Sequence, residues 1–541
     1  MLLSQAATPP KYRTPAADGG CVSYPAWETL PILTASAAPR DAADEPTIGE
    51  LQLAEFQAAA RQELLEAAAR YVASYAPPPA PATADRPLIV VGHQPDLVHP
   101  GVWLKNFAAA ALAEELGGTA LHLVIDTDGA HAAATRVPSG SPASPVARSI
   151  RFDAPAGPMA WEQQRVIDQR LWESFAERVA AELEPFSIAP LITAWWPTVL
   201  ARSRAGVPPG LALAQARHLT ELQWGAATRE LPQSAVCQTE SFRRFLCHLL
   251  AHLPRFNQAY NGALADFRRR HGISNHAQPM PNLADEGAWL EAPLWIWSHD
   301  DPTRRALLVR GSAGQVEISD GQGFQATLPL AADADPAAAI AELARLEDSG
   351  VKIRSRALVT TLFARLAVSD LFVHGIGGAR YDEVTDEIGR AFFGVELSPY
   401  AAISGTLRLP IAHDQVGPDD VRRLRQTLRE LRFHPERFLA ETNLGDADRR
   451  AAEQAVSEKR RWIAEPKTTA NAHQRHVAIE SANARLGQLL EPLADDARRR
   501  LSEARVRSRA AAVLESREYA FCLFPQDLLQ RFLLDFPDRM P

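Results

Sequence analysis

The residues best suited to chemistry gather in a few short stretches. Gly92-His-Gln-Pro-Asp-Leu-Val-His-Pro-Gly101 carries His93, Gln94 and His99 between Gly92 and Gly101. A Gly/Pro loop running into a helix offers unpaired backbone N–H groups at the positive helix end, which suits phosphate or carboxylate. Lys105, one turn further on, adds a cation, although a surface lysine is the plain alternative. Imidazoles that titrate near neutrality carry protons, so His93 and His99 are the first candidate catalytic groups. His99-Pro-Gly101 also resembles three positions of the H-x-G-H pattern of nucleotidyl-transfer enzymes, with Val102 at the fourth. Asp126-Thr-Asp128-Gly129 supplies two carboxylates able to bind an amine, ligate Mg²⁺ or act as a base, with His131 close behind. Simple turn chemistry is the alternative there.

Two later stretches add candidate anion holders. Lys352-Ile-Arg354-Ser-Arg356 alternates cations, and an extended backbone would point them to one face as a clamp. A solvated basic edge has the same spacing. In His374-Gly-Ile-Gly-Gly378-Ala-Arg380-Tyr-Asp382 a strand enters glycines that permit close ligand approach, and a helix follows. His374, Gly375, Gly377, Gly378 and Arg380 are therefore assigned to substrate or anion binding. The pattern is not G-x-G-x-x-G, and dinucleotide binding does not follow from it. Trp295 and Trp297 read as core or interface, and Cys237 and Cys247 as buried thiols. The four cysteines lack the spacing of a zinc module.

These groups need elements to hold them. Leu88–Gly92 and Ala120–Asp126 are continuous apolar runs, the mark of buried parallel strands, and Val102–Leu116 between them reads as a helix. That is a β-α-β unit, whose ligands bind at the carboxyl edge of the strands. The rhythm returns from Val351: a helix over Arg356–Ala367, a strand over Asp370–His374, a turn at Gly375–Gly378 and a helix over Arg380–Phe393. The expected division is an N-terminal arm and helix (1–85), a first core part (86–150), an insertion or second domain (151–349), a second core part (350–410), and a helical arm (411–541). Within the insertion, helices are expected over Trp161–Glu184, Leu211–Glu230 and Ser241–His271, then strands near Pro293–Ser298, Arg305–Arg310 and Gln315–Ser319. Val421, Leu424, Leu428 and Leu431 give the arm a stripe for a partner helix. Tyr519–Phe524 reads as a closing strand.

Composition narrows the class. The 541 residues are 46% apolar and 23% charged with net charge −8, a globular balance with material for more than one domain. The acidic balance argues against nucleic-acid or membrane partners. Four scattered cysteines suit a reducing compartment, and the start lacks a signal-peptide pattern, so a cytoplasmic location is expected.

The layout resembles the bacillithiol-biosynthesis cysteine-adding enzyme family. Gly92-His-Gln94-Pro-Asp-Leu97-Val-His-Pro-Gly101 is similar to its G-Q-Q-x-G-L-x-x-G-P-like loop, with His93 where the family has glutamine and Asp96 where it has glycine. Asp126-Thr-Asp128-Gly-Ala-His131 stands at its acidic, His-containing patch, and Ile353-Arg354 through Gly377-Gly378 at a later Arg and Gly-Gly segment. The resemblance implies an α/β fold with a Rossmann-like parallel-sheet core, a large insertion and a C-terminal coiled-coil arm. It implies a ligase or transferase that joins an amine- or thiol-bearing small molecule to a second substrate, with ATP or ADP and Mg²⁺ as candidate cofactors and a homodimer through the arm as the candidate assembly. A non-catalytic small-ligand scaffold that self-associates is the second reading, and nucleotidyl transfer the third.

Overall fold

The computed structural model describes residues 12–35, 46–130, 133–275, 280–312, 314–332, 334–412 and 418–540. Two compact units divide the chain: residues 1–137, 148–409 and 517–541 form one, residues 138–147 and 410–516 the other. The fold is mixed α/β.

The larger unit is organised by a six-stranded sheet of β1 (Cys21–Tyr24), β2 (Leu88–His93), β3 (Thr119–Val124), β4 (Thr228–Pro232), β5 (Leu371–His374) and β6 (Tyr400–Gly405). Its spatial order is β1-β6-β5-β2-β3-β4. All neighbours pair in parallel except β1, which lies antiparallel on β6. The chain thus steps outward from β2 to β3 and β4, then returns to the other side of β2 to build β5 and β6. In open sheets of this kind a crevice opens beyond the carboxyl ends of the two strands where the winding reverses. Here those strands are β2 and β5, which end in His93 and His374. The two segments expected to share one sheet are adjacent in it.

Local sequence explains the central elements. Leu88, Ile89, Val90 and Val91 are all buried, as a strand covered on both faces requires. Helix α1 (Pro100–Glu115) starts two residues earlier than expected: Pro100 takes the first-turn place where no N–H is needed, and the His99 ring accepts from the Gly101 N–H as cap. Helix α2 (Ile376–Ile388) directly follows Gly375, so the turn expected over Gly375–Gly378 is instead a helix cap and first helical turn. Gly101 is required by packing, because a Cβ there would sit 2.0 Å from the Gly405 carbonyl oxygen.

Several expectations are corrected. Residues 21–24 of the expected arm form an edge strand. The expected helix over Leu211–Glu230 stops at Gln223, where Gly225 turns with φ +90° and β4 begins. Ser241–His271 is two helices, Glu240–Ala251 and Leu253–His271, interrupted ahead of Pro254. Trp161–Glu184 breaks into short turns and helices, the longest Phe175–Leu183. Val351–Ser355 belongs to a separate antiparallel sheet, paired with Trp289–Ser298, and not to the parallel sheet. Tyr519–Phe524 is no strand: Phe521–Leu523 turns tightly and packs Phe521 against Trp103 and Trp195. Residues 517–541 accordingly group with the sheet unit.

The smaller unit holds helices Pro418–Phe433, Asp446–Ala464, Ala472–Leu489 and Glu491–Leu514. Leu431 packs with Leu490, Ala494 and Ala497, and Ala452 and Ala455 with Leu486. Among the described residues no helix is long and apolar enough to cross a membrane.

Candidate functional site

Beyond the carboxyl ends of β2 and β5 lies a cavity of about 590 Å³. Gly92, His93, Gln94, His99, Gly101 and Lys105 line it from the first loop and α1; His374, Gly375, Gly377 and Gly378 line it from β5 and α2. Both helices turn their amino ends to this wall, so unpaired N–H groups from two directions favour an anion there.

Lys105 is the most telling of these residues. Its side chain is 3% exposed, its Nζ donates to the Gly92 carbonyl at 3.2 Å, and among the described residues it forms no ion pair. Burial, with Arg217 nearby, lowers its pKa to about 8, so at neutral pH most of the molecules hold a buried ammonium without a counter-charge. Such a group is costly to keep, and an incoming anion would relieve it.

The histidines divide by their partners. His374 Nε2 is 2.7 Å from Asp382 Oδ2, and Arg365 Nη1 donates to the same oxygen at 2.9 Å. Burial opposes ionisation of Asp382, but Arg365 and then His374 outweigh it and hold the carboxyl at about 2. The carboxylate thus fixes the proton on Nε2 and leaves Nδ1 of His374 as an acceptor facing the start of α2, a base–orienter pair. Gly378 makes room for that ring: a Cβ there would lie 2.8 Å from His374 Nδ1. His93 instead donates Nδ1–H to the Gln94 carbonyl at 3.0 Å. Burial, then Lys105, lowers its pKa to about 3, and burial lowers that of His99 to about 4. Both rings are therefore neutral near pH 7, each with a single N–H. Of the three rings, only His374 is oriented by a carboxylate within the cavity wall.

The opposite wall comes from the antiparallel sheet. Trp295 lies in the cavity with the Arg356 guanidinium 4.1 Å and the Arg304 guanidinium 5.1 Å from its ring. Arg304 Nη1 donates to Asp128 Oδ1 at 3.0 Å, and Gln94 Nε2 to Oδ2 at 3.0 Å. Burial opposes it, but the Gln94, Gly129 and Arg304 hydrogen bonds keep Asp128 below the usual carboxylate range. Both oxygens are engaged, so Asp128 orients Gln94 and Arg304 rather than serving as a base.

The remaining expected residues stand outside the cavity. Asp126 is fully buried behind the wall, where its carboxylate accepts from the Ser234 N–H and hydroxyl. Burial, then Glu162, raises its pKa to about 7. Lys352 and Arg354 do share a face, as alternation requires, but that face meets carboxylates. Lys352 donates to Glu347 at 2.6 Å, and Arg354 is bonded to both Glu162 and Glu347. Arg380 is exposed and donates to the Tyr12 carbonyl. His131 lies outside the described residues.

Sequence reasoning misses Arg304, Asp382 and Arg517 as site residues; of the expected cation clamp Lys352, Arg354 and Arg356, only Arg356 reaches the cavity. Asp382 ends a stretch singled out above, but its role depends on partners that sequence does not reveal. Arg304 and Arg517 give no local signal. Among the described residues no group of three acidic, His or Cys side chains could hold a metal. Asp128 and Asp382 are already saturated, so this donor set does not suit a resident Mg²⁺.

The chain matches no known family model and no curated protein.

Proposed function

We propose that the protein is a ligase or transferase that binds a nucleotide or phosphorylated small molecule in this cavity and joins an amine- or thiol-bearing substrate to a second one. The observation that carries the reading is Lys105: a buried ammonium with no counter-charge among the described residues, set between two helix amino ends. In this reading the core is Rossmann-like, and the phosphates of ATP or ADP lie against Lys105, Gly101 and Gly375–Gly378. Any Mg²⁺ would arrive on those phosphates.

The other groups fall into roles around that anion. Arg304 and Arg356, whose charges are met by Asp128 and Glu291, frame Trp295 at the wall against which the second substrate lies. His374, oriented by Asp382, takes the proton from the attacking amine or thiol at Nδ1. His99 caps α1 and so aims its N–H groups. The helical unit is read as a coiled-coil arm through which two copies pair.

Thermal shift with pyrophosphate, ATP and adenosine tests the anion site. At a hundredfold excess over Kd a ligand stabilises by about 2.7 kcal/mol. Pyrophosphate and ATP should raise the Tm of the native protein, adenosine alone should not, and Lys105→Met should lose the response. Equal shifts in Lys105→Met and native protein would discard the site. Release of phosphate or pyrophosphate from ATP only when amine and carboxylate pools are both added would establish the joining reaction.

A further inference from the structure

Gly92 breaks the run of side chains along β2, and the usual internal reasons for a strand glycine are absent. The register of β2 on β3 runs without a shift from Leu88 to His93, so Gly92 marks no bulge. Its backbone is not in the positive-φ region. A Cβ built on it would meet Ile125, the Leu123 carbonyl and Phe372 at 3.6–3.7 Å, which are ordinary contact distances, so no protein atom needs its place. At Gly101, by contrast, a Cβ would collide with the Gly405 carbonyl. Glycine weakens a strand relative to alanine, and nothing in the packing around Gly92 requires it. The remaining reason is the close approach of a ligand. Gly92 lines the cavity, and so do Leu123, Ile125 and Phe372. Gly92 pairs with Leu123, and Phe372 with Val90, two residues before Gly92, so these positions share one face of the sheet. His374, two residues beyond Phe372, joins them, its ring 4.4 Å from that of Phe372.

We propose that Gly92 is the floor of a ring subsite: the amine- or thiol-bearing substrate lays an aromatic hydrocarbon ring on β2 at Gly92, against Phe372, and so presents its nucleophile beside His374. The substrate class is then an arylalkyl amine or thiol, an assignment that rests on reading the cavity as a joining site with His374 as base. The side chains of Leu123, Ile125 and Phe372 bring no hydrogen-bonding group to this floor. A benzene-type ring loses nothing there, whereas the polar edge of a nucleobase would go unmet. The ring also gains the contact that one aromatic face or edge offers another at Phe372. A side chain at position 92 would take the same space, so glycine is what admits the ring.

The test reads the ring subsite with a neutral probe, 4-fluorobenzyl alcohol, and the anion site with pyrophosphate, so the two readings fail separately. Full-length native protein should broaden and shift the ¹⁹F signal of the alcohol. Gly92→Val, whose methyl groups fill the floor, should weaken that binding by about tenfold or more. Gly92→Ala should melt no lower than native protein, because nothing opposes the added methyl, and should still bind the alcohol more weakly. A ¹⁹F signal unchanged by native protein overturns the subsite, as does equal binding by folded Gly92→Val. If Gly92→Val fails to fold, Gly92→Ala decides: weaker binding at an undiminished Tm supports the subsite. Unchanged binding, or a Tm well below that of native protein, overturns it. Native protein that binds the alcohol and ignores pyrophosphate keeps the ring subsite and discards the phosphate reading.

Discussion

Lys105 and Arg354 are both buried cations, and by sequence both promise an anion site. Arg354 is completely enclosed and gives its Nε and Nη2 protons to Glu162 at 2.9 and 3.0 Å, and its Nη1 and Nη2 protons to Glu347 at 2.7 and 2.9 Å. Its charge is answered twice within the chain, so nothing remains for a ligand. Lys105 is almost as deeply buried, touches a single carbonyl, and opens on a cavity. A buried cation is left available to a ligand when no counter-charge answers it among the described residues.

The largest effect should come from opening the closed cluster. Arg354→Met leaves Glu162 and Glu347 facing each other without their shared cation, and breaking a buried ion cluster from one side costs about 3–5 kcal/mol. Urea denaturation of the variant should show that loss. A loss within error would mean that the guanidinium is not the hub of the cluster.

Lys105→Met should act in the opposite direction. A lysine whose folded pKa lies near 8 and unfolded value near 10.5 destabilises the fold while both states are charged. At pH 7 its removal should therefore stabilise the anion-free protein by an amount on the order of 3 kcal/mol. The penalty fades as pH rises from about 8 to 10.5, because there the unfolded chain binds the extra proton. Denaturation midpoints of native protein and variant, measured from pH 7 to 10.5, should converge. A constant difference would show that Lys105 has a counter-charge after all.

The same contrast shows what sequence can and cannot reveal. Leu88–Val91 and Ala120–Val124 are legible because apolar runs beside Gly/Pro loops have few other structures. β4 is hidden because Arg229 and Glu230 give a core strand the composition of a solvated helix. Glu230 is tolerated there because Arg217, on the helix Pro209–Gln223, reaches it together with His122 and Tyr75. Arg354 misleads for a related reason: one partner, Glu162, is 192 residues away in the chain. The glycines after His374 point to the right wall, but Asp382 looks like a surface charge until the first two turns of α2 bring it under the ring. Sequence locates the edge where the site lies; the pairing of charges, which decides which residues are available, is a long-range property.

Asp382→Asn probes a charge pair of intermediate kind, closed on Arg365 but open to the cavity through His374. A carboxyl held at about 2 in the fold against 3.8 unfolded contributes about 2 kcal/mol above pH 4, and loses it as pH falls towards 2. The variant should be less stable by about that amount at pH 7, with the gap closing in acid. In labelled protein, His374 should also lose its fixed Nε2–H tautomer. A stable variant with His374 unchanged would show that Asp382 does not orient the ring.

The finest distinction lies within the first turn of α2, between two adjacent glycines. A methyl group at Gly377 meets nothing within 4 Å, whereas one at Gly378 meets His374 Nδ1 at 2.8 Å. Gly377→Ala should stabilise the helix by about 0.4–1 kcal/mol, since alanine costs the unfolded chain conformational freedom. Gly378→Ala gains the same helical term but must push the imidazole from Asp382, stretching a 2.7 Å hydrogen bond. Its net effect on stability should therefore fall below that of Gly377→Ala, and its His374 spectrum should resemble that of Asp382→Asn. If both alanines stabilise equally and leave His374 unchanged, the ring does not stand over the helix start, and the base assigned to the cavity loses its geometric support.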